Sequence, residues 1–243
     1  VYWSFIFYVA YLFTSAFVLL AWIYSPLISL CIFFLVASFH FGYEDLEMFF
    51  SQKFILETPL YFLRGLIIIS APLYLNNVET INFIDILLLG EKWINLESAT
   101  YAYIFYFNLV SIFSLTLLFW IRKNINLKDF FIISFEVFSI VVIFKYLPLI
   151  LAFTMYFCFM HSTKHILSLA VELNGSNVYA GIKLFAKKAA PLTIITFAMS
   201  LIMLFYLSKE FSVDKSILKI IFIGLAALTL PHIILEYIYG KYK

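Results

Sequence analysis

Charge is scarce in this sequence. Only 12% of its 243 residues are Asp, Glu, Lys or Arg, and the formal net charge is +2. A soluble globular domain carries roughly a quarter charged residues, and so small and scattered a positive balance does not argue for nucleic acid. Cysteine is nearly absent. Cys31 and Cys158 both fall within apolar runs, which excludes an extracytoplasmic disulfide and a thiolate metal motif. No repeat, low-complexity tract or composition shift marks off a separate soluble domain. The start lacks the basic lead and small-residue cleavage site of a secretory signal peptide. It opens at Val1, in mid-helix register, so the chain is expected to lack its natural beginning.

What is present is apolar: 65% of the residues are hydrophobic and the mean hydropathy is +1.03. Apolar runs near the roughly 20 residues that cross a bilayer recur along the chain. The expected fold class is therefore all-α, a polytopic integral membrane helical bundle forming a single transmembrane domain over 1–243. About eight spans are read, at 1–24, 26–43, 59–75, 99–121, 130–146, 148–173, 189–207 and 216–239. Pro26, Pro59 and Pro148 stand where a helix tolerates proline, at its start. The segment 81–90 is too short and too acidic to span and is expected at the interface. Lys183, Lys187 and Lys188 fall on a short amphipathic piece before the seventh span, and Pro231 is expected to kink the eighth. The loops after even-numbered spans, with the C-terminus, hold nine Lys and Arg residues, and the opposite side holds four. By the positive-inside rule the C-terminus is cytoplasmic.

All four histidines, His40, His161, His165 and His232, fall within or at the end of apolar spans. His40 is 14 residues past Pro26, His161 and His165 are 13 and 17 past Pro148, and His232 is 16 past Ser216. At about 1.5 Å rise per residue these are depths of roughly 21, 20, 26 and 24 Å along three helices running the same way. Four imidazoles in one layer, from three parallel helices, is the arrangement a metal site in a bundle requires. His161 and His165 share a helix face. With Thr154, Cys158, Ser168 and Glu172 they form a polar stripe spaced 4-3-4-3-4, which reads as the inner wall of a site, since polar groups at membrane depth face a partner, a cavity or a metal.

Neutral imidazole ligates Fe, Zn, Cu or Ni, and the residues alone leave the metal open. Each helix carries a second polar group four residues on, in the pairs His40/Glu44, His161/His165 and His232/Glu236. Glu44 or Glu236 could ligate directly or hold a histidine's other ring nitrogen, and Asp45 and Glu47 are further candidates. A lone membrane histidine is more often an interhelical hydrogen bond or a proton relay; four at one depth favour metal. Haem is disfavoured because an i, i+4 pair presents both imidazoles to the same face of the ring. The membrane desaturases hold two irons with about eight histidines, more than this chain has. A transporter would show interrupted helices at matching places in two halves, and Pro231 stands alone. The 30 Phe and 17 Tyr residues read mostly as lipid-facing bulk.

Three stretches together resemble a known family. Ser38-Phe39-His40-Phe41-Gly42-Tyr43-Glu44-Asp45 is similar to its HFG-x-x-D box, Tyr156 through His165 to its YFCF-x-HS-x-x-H box, and Gly224 through His232 to its GLAALT-x-PH box. The family is the Brp/Blh group of bacterial and archaeal membrane β-carotene 15,15'-dioxygenases, and the resemblance extends over essentially the whole chain. It implies cleavage of the central double bond of β-carotene with O₂ to give two molecules of all-trans-retinal, at a non-haem Fe(II) held by histidines. By resemblance, His40, His161 and His165 match family iron ligands and His232 the remaining motif histidine. It implies a place in the prokaryotic cytoplasmic membrane and a link to a retinal-binding microbial rhodopsin. The family has one more histidine, in a PHG-x-x-D box on a preceding helix, and no such box occurs here. A longer protein carrying it is expected to have nine spans. The alternatives are a metal-free carotenoid- or retinoid-binding membrane protein, and a family oxygenase acting on another polyene.

Overall fold

In a lipid phase backbone amides have no partners but one another, which leaves apolar runs of this length the choice of helix or closed barrel. The chain takes the first. The computed structural model describes residues 2–50, 57–94 and 96–240, with side chains described between 9 and 233 of those ranges. Helices α1 (Tyr2–Tyr24), α2 (Pro26–Leu46), α3 (Glu57–Leu75), α4 (Asn77–Leu87), α5 (Ser98–Ile121) and α6 (Leu127–Tyr146) follow one another. Next come α7 (Leu149–Thr154), a π-helical segment (Met155–His161), α8 (Ser162–Leu173), α9 (Val178–Leu207) and α10 (Val213–Gly240). A single 3₁₀ turn, Glu47–Phe49, follows α2, and no strand occurs among the described residues. The all-α expectation holds.

Five described segments are long and apolar enough to cross a membrane: Pro26–Phe49, Glu57–Leu75, Ser98–Ile121, Val178–Leu207 and Val213–Ile233. The expected count of about eight is not reached on this criterion. Helix α6 carries Lys128, Asp129, Glu136 and Lys145, and the sixth expected span is divided into α7, the π-segment and α8. The described side chains of α1 provide only the shorter apolar stretch Val9–Tyr24.

Boundaries shift where local chemistry overrides apolar periodicity. Helix α6 starts at Leu127 because Asn126 and Asp129 form a capping box, with the Asn126 side chain accepting from the Asp129 amide at 2.8 Å. Helix α9 is continuous, not an amphipathic piece followed by a span. Asn177 Oδ1 accepts from the Ala180 amide at 3.1 Å and starts it, and Pro191 lies inside it. The segment expected at the interface is mostly helical, as α4, and the chain turns after it through Leu89 and Gly90, at φ 55° and 112°.

The chain divides into two compact units. The first comprises 1–36, 81–94 and 196–243. Here α1 packs along α10, Tyr11 donates to the Leu228 carbonyl at 3.0 Å, and the buried Trp22 donates to the Leu87 carbonyl at 2.9 Å. The second comprises 37–80 and 95–195 and is built on α3, which packs against both α5 and α6. Leu60, Arg64, Ile67 and Ala71 recur at helical spacing on a fully buried face of α3, and the Asn108 amide meets the Ser70 hydroxyl at 3.0 Å.

Within the second unit the last turns of α2 lie directly on α3. A Cβ on Gly42 would stand 1.7 Å from the Tyr61 carbonyl oxygen, and one on Gly65 would stand 1.7 Å from that of Ser38. Only glycine permits this, as in the small-residue helix contacts of membrane bundles. The contact holds the HFG-x-x-D stretch of α2 against the turn of α3 that carries Arg64.

Candidate functional site

His40, His161 and His165 all belong to the second unit. His40 and His161 face each other with ring centroids 5.9 Å apart, at 71°. His161 is 6% exposed and its ring is boxed by aromatic neighbours: Phe41 edge-on at 4.8 Å, and Phe157 and Tyr156 stacked at 5.9 and 6.1 Å. His165 is half-buried.

Two carboxylates from one turn of α2 hold the two histidines of the pair. Asp45 Oδ1 lies 3.3 Å from His161 Nδ1, and Glu44 Oε2 lies 2.9 Å from His165 Nδ1. An ionised carboxylate only accepts, so in each of these contacts the imidazole Nδ1 is the donor. Glu44 thus serves as the expected outer partner of a histidine. It holds His165 on another helix, not His40 one turn before it on its own.

Behind Asp45 the polar network continues. Asp45, 1% exposed, also accepts at Oδ2 from the Tyr156 hydroxyl at 3.1 Å. Arg64 Nη2 lies 3.1 Å from that same oxygen and donates to Glu136 Oε2 at 3.3 Å. Lys164 Nζ lies 2.6 Å from Glu136 Oε1. Arg64, Glu136, Lys164 and Tyr156 are the members of this network that sequence reasoning did not assign to the site. Arg64, Lys164 and Glu136 were visible as charges inside spans, but their partners lie on other helices and no local spacing pairs them.

The expected polar stripe is corrected by the π-segment. Its hydrogen bonding runs from i to i+5, as from the Ser162 amide to the Phe157 carbonyl, so the 3.6-residue period does not continue through it. Thr154, Cys158, Ser168 and Glu172 are exposed, while Tyr156 and His161 are buried together. Five residues apart, those two side chains reach the two oxygens of one carboxylate. The wall of the site is therefore Tyr156, His161 and His165. His232 belongs to the first unit, where it is exposed on α10 directly after the buried Pro231, and the Glu236 side chain lies outside the described residues.

Three carboxylates (Glu44, Asp45, Glu136) against two basic groups (Arg64, Lys164) leave one net negative charge among the groups around the histidines. Carboxylate-held imidazoles are the usual outer arrangement of a histidine metal site. Among the described residues, no group of three or more His, Cys, Asp or Glu side chains is gathered closely enough to hold a metal ion.

The sequence matches the β-carotene 15,15'-dioxygenase family over residues 1–239. It is similar to a β-carotene 15,15'-dioxygenase of the uncultured marine bacterium 66A03, with 28% identity over 235 residues, covering 93% of this chain and 77% of the relative. No solved structure matches. A match over all but the last four residues is decisive: the chain belongs to the β-carotene 15,15'-dioxygenase family.

Proposed function

We propose that this carotenoid-cleaving enzyme splits the central 15,15' double bond of β-carotene with O₂ and releases two molecules of all-trans-retinal, at a non-haem iron held by histidines, among them His40, His161 and His165 of the second unit. One O₂ is consumed per double bond, and each new aldehyde receives one oxygen atom. The observation that carries the reading is the pair of carboxylate–imidazole contacts, Asp45 to His161 and Glu44 to His165, within a chain of this family.

The iron, when bound, would supply the activation of O₂ that an unassisted polyene lacks. The chain's own residues do the rest. Asp45 and Glu44 fix the tautomer and direction of the His161 and His165 rings. Phe41, Tyr156 and Phe157 surround His161 with apolar surface and exclude water from it. The enzyme is an integral protein of the prokaryotic cytoplasmic membrane with its C-terminus in the cytoplasm, where an apolar substrate is dissolved in the bilayer. Its product supplies a retinal-binding membrane protein such as a microbial rhodopsin.

The test is made in β-carotene-producing bacteria expressing this chain or its His161→Ala variant, with retinoids extracted and separated by chromatography and metal measured in the purified protein. Retinal from the wild type and none from the variant, with iron in the wild type, is the expected result. Apocarotenals of other chain length would overturn the central cleavage position, and cleavage by iron-free protein would overturn the metal.

A further inference from the structure

Arg64, Glu136 and Lys164 lie outside the three sequence boxes, yet they form one linear series of alternating charge with Asp45, drawn from α2, α3, α6 and α8, that ends on the His161 ring. The side chain of Arg64 is 0% exposed and that of Glu136 13%. Arg64 spends one nitrogen, Nη2, on both carboxylates, while its Nε and Nη1 are buried without a partner. A packing role alone explains this poorly, because well-packed apolar residues usually serve a helix interface as well as a buried ion pair or better. Retaining charges in such a place is best matched by a need for one particular geometry.

That geometry is readable in Asp45. Its Oδ2 is anchored by Tyr156 and Arg64, which leaves Oδ1 turned to His161 Nδ1. Glu136 holds Arg64 on the far side, and Lys164, in the sequence between the two histidines, ties α8 to the same carboxylate. Rotation of α8 about its axis would break the Lys164 contact together with the contact of His165 to Glu44.

We propose that Arg64 and Glu136 are positioning residues which act through Asp45, fixing His161 as the Nδ1–H tautomer with Nε2 presented to the metal, and which fix the rotation of α8 through Lys164. The metal part rests on the reading given under Proposed function; the tautomer part does not.

The experiment uses the full chain in lipid nanodiscs, with ¹⁵N-labelled histidine rings observed by NMR in metal-free protein and Co²⁺ titrated as the metal probe. The His161 signal is identified by its loss in His161→Gln. The expected result is an Nδ1–H ring in the wild type, a mixture of tautomers in Glu136→Gln and Arg64→Lys, and recovery in Glu136→Asp. Co²⁺ affinity should fall about 10- to 100-fold in the first two variants, the range found when outer-shell partners of metal ligands are removed. A wild-type His161 in the Nε2–H form overturns the proposal by itself, even if neither variant folds. So does an unchanged tautomer in folded Glu136→Gln and Arg64→Lys. Failure of the wild type to bind Co²⁺ would sink the metal reading, while the ring spectra would still decide the positioning role.

Discussion

Tyr156 and His161, five residues apart, stack with ring centroids 6.1 Å apart and 27° between their planes, and the two side chains reach opposite oxygens of Asp45. In an α-helix positions i and i+5 diverge by more than a residue's width around the axis; the π-segment Met155–His161 brings them to one side. The inserted residue of a π-bulge is thus what lets one carboxylate receive both groups.

Tyr156→Phe keeps the ring stack and removes one donor from Asp45 Oδ2. A hydrogen bond to a charged acceptor contributes about 1.5–3 kcal/mol. The melting point measured in nanodiscs should fall accordingly, with a smaller loss of cleavage rate than in His161→Ala, since Arg64 still anchors the same oxygen.

Glu44→Gln leaves His165 Nδ1 beside an amide in place of a carboxylate. Metal affinity should drop about 10- to 100-fold. Glu47→Gln, which alters an exposed carboxylate bonded at 2.5 Å to the Tyr43 hydroxyl, should leave it within a factor of two, read by the same titration. Equal losses from both variants would mean that general negative charge, not the His165 contact, sets the affinity.

Gly42→Ala and Gly65→Ala each drive a methyl group into a backbone carbonyl 1.7 Å away. Overpacking of this kind costs about 1–3 kcal/mol where neighbours can shift, and a backbone obstacle shifts least. Both variants should give little monodisperse protein on fluorescence-detected size exclusion. Gly224→Ala, where a Cβ would meet nothing within 4 Å, should behave as the wild type.

The all-helical class was legible because bilayer-length apolar runs admit few alternatives, whereas the number and bounds of the spans were not, since charges in α6 and the π-segment between α7 and α8 divide what reads as continuous. Asp45 stands in the HFG-x-x-D stretch, where the sequence marks it only as a further candidate beside Glu44. The partners of the charges were not legible. Glu44 lies one turn from His40, and local spacing therefore pairs those two, yet the backbone contact at Gly42 and Gly65 and the entry of α8 place Glu44 on His165 instead. Arg64, Glu136 and Lys164 come together only through tertiary packing. Three opposed charges on separate apolar helices were the available signal, since each is too costly to bury alone. The π-segment left no mark in the apolar pattern, because Met-Tyr-Phe-Cys-Phe-Met reads equally well at either period.

The glycine contact between α2 and α3 also bears on traffic. Where two backbones touch so closely that a methyl group has no room, a rigid polyene has none either. That seam is a shut door at the level of Gly42 and Gly65: nothing as wide as a polyene chain passes between α2 and α3 there.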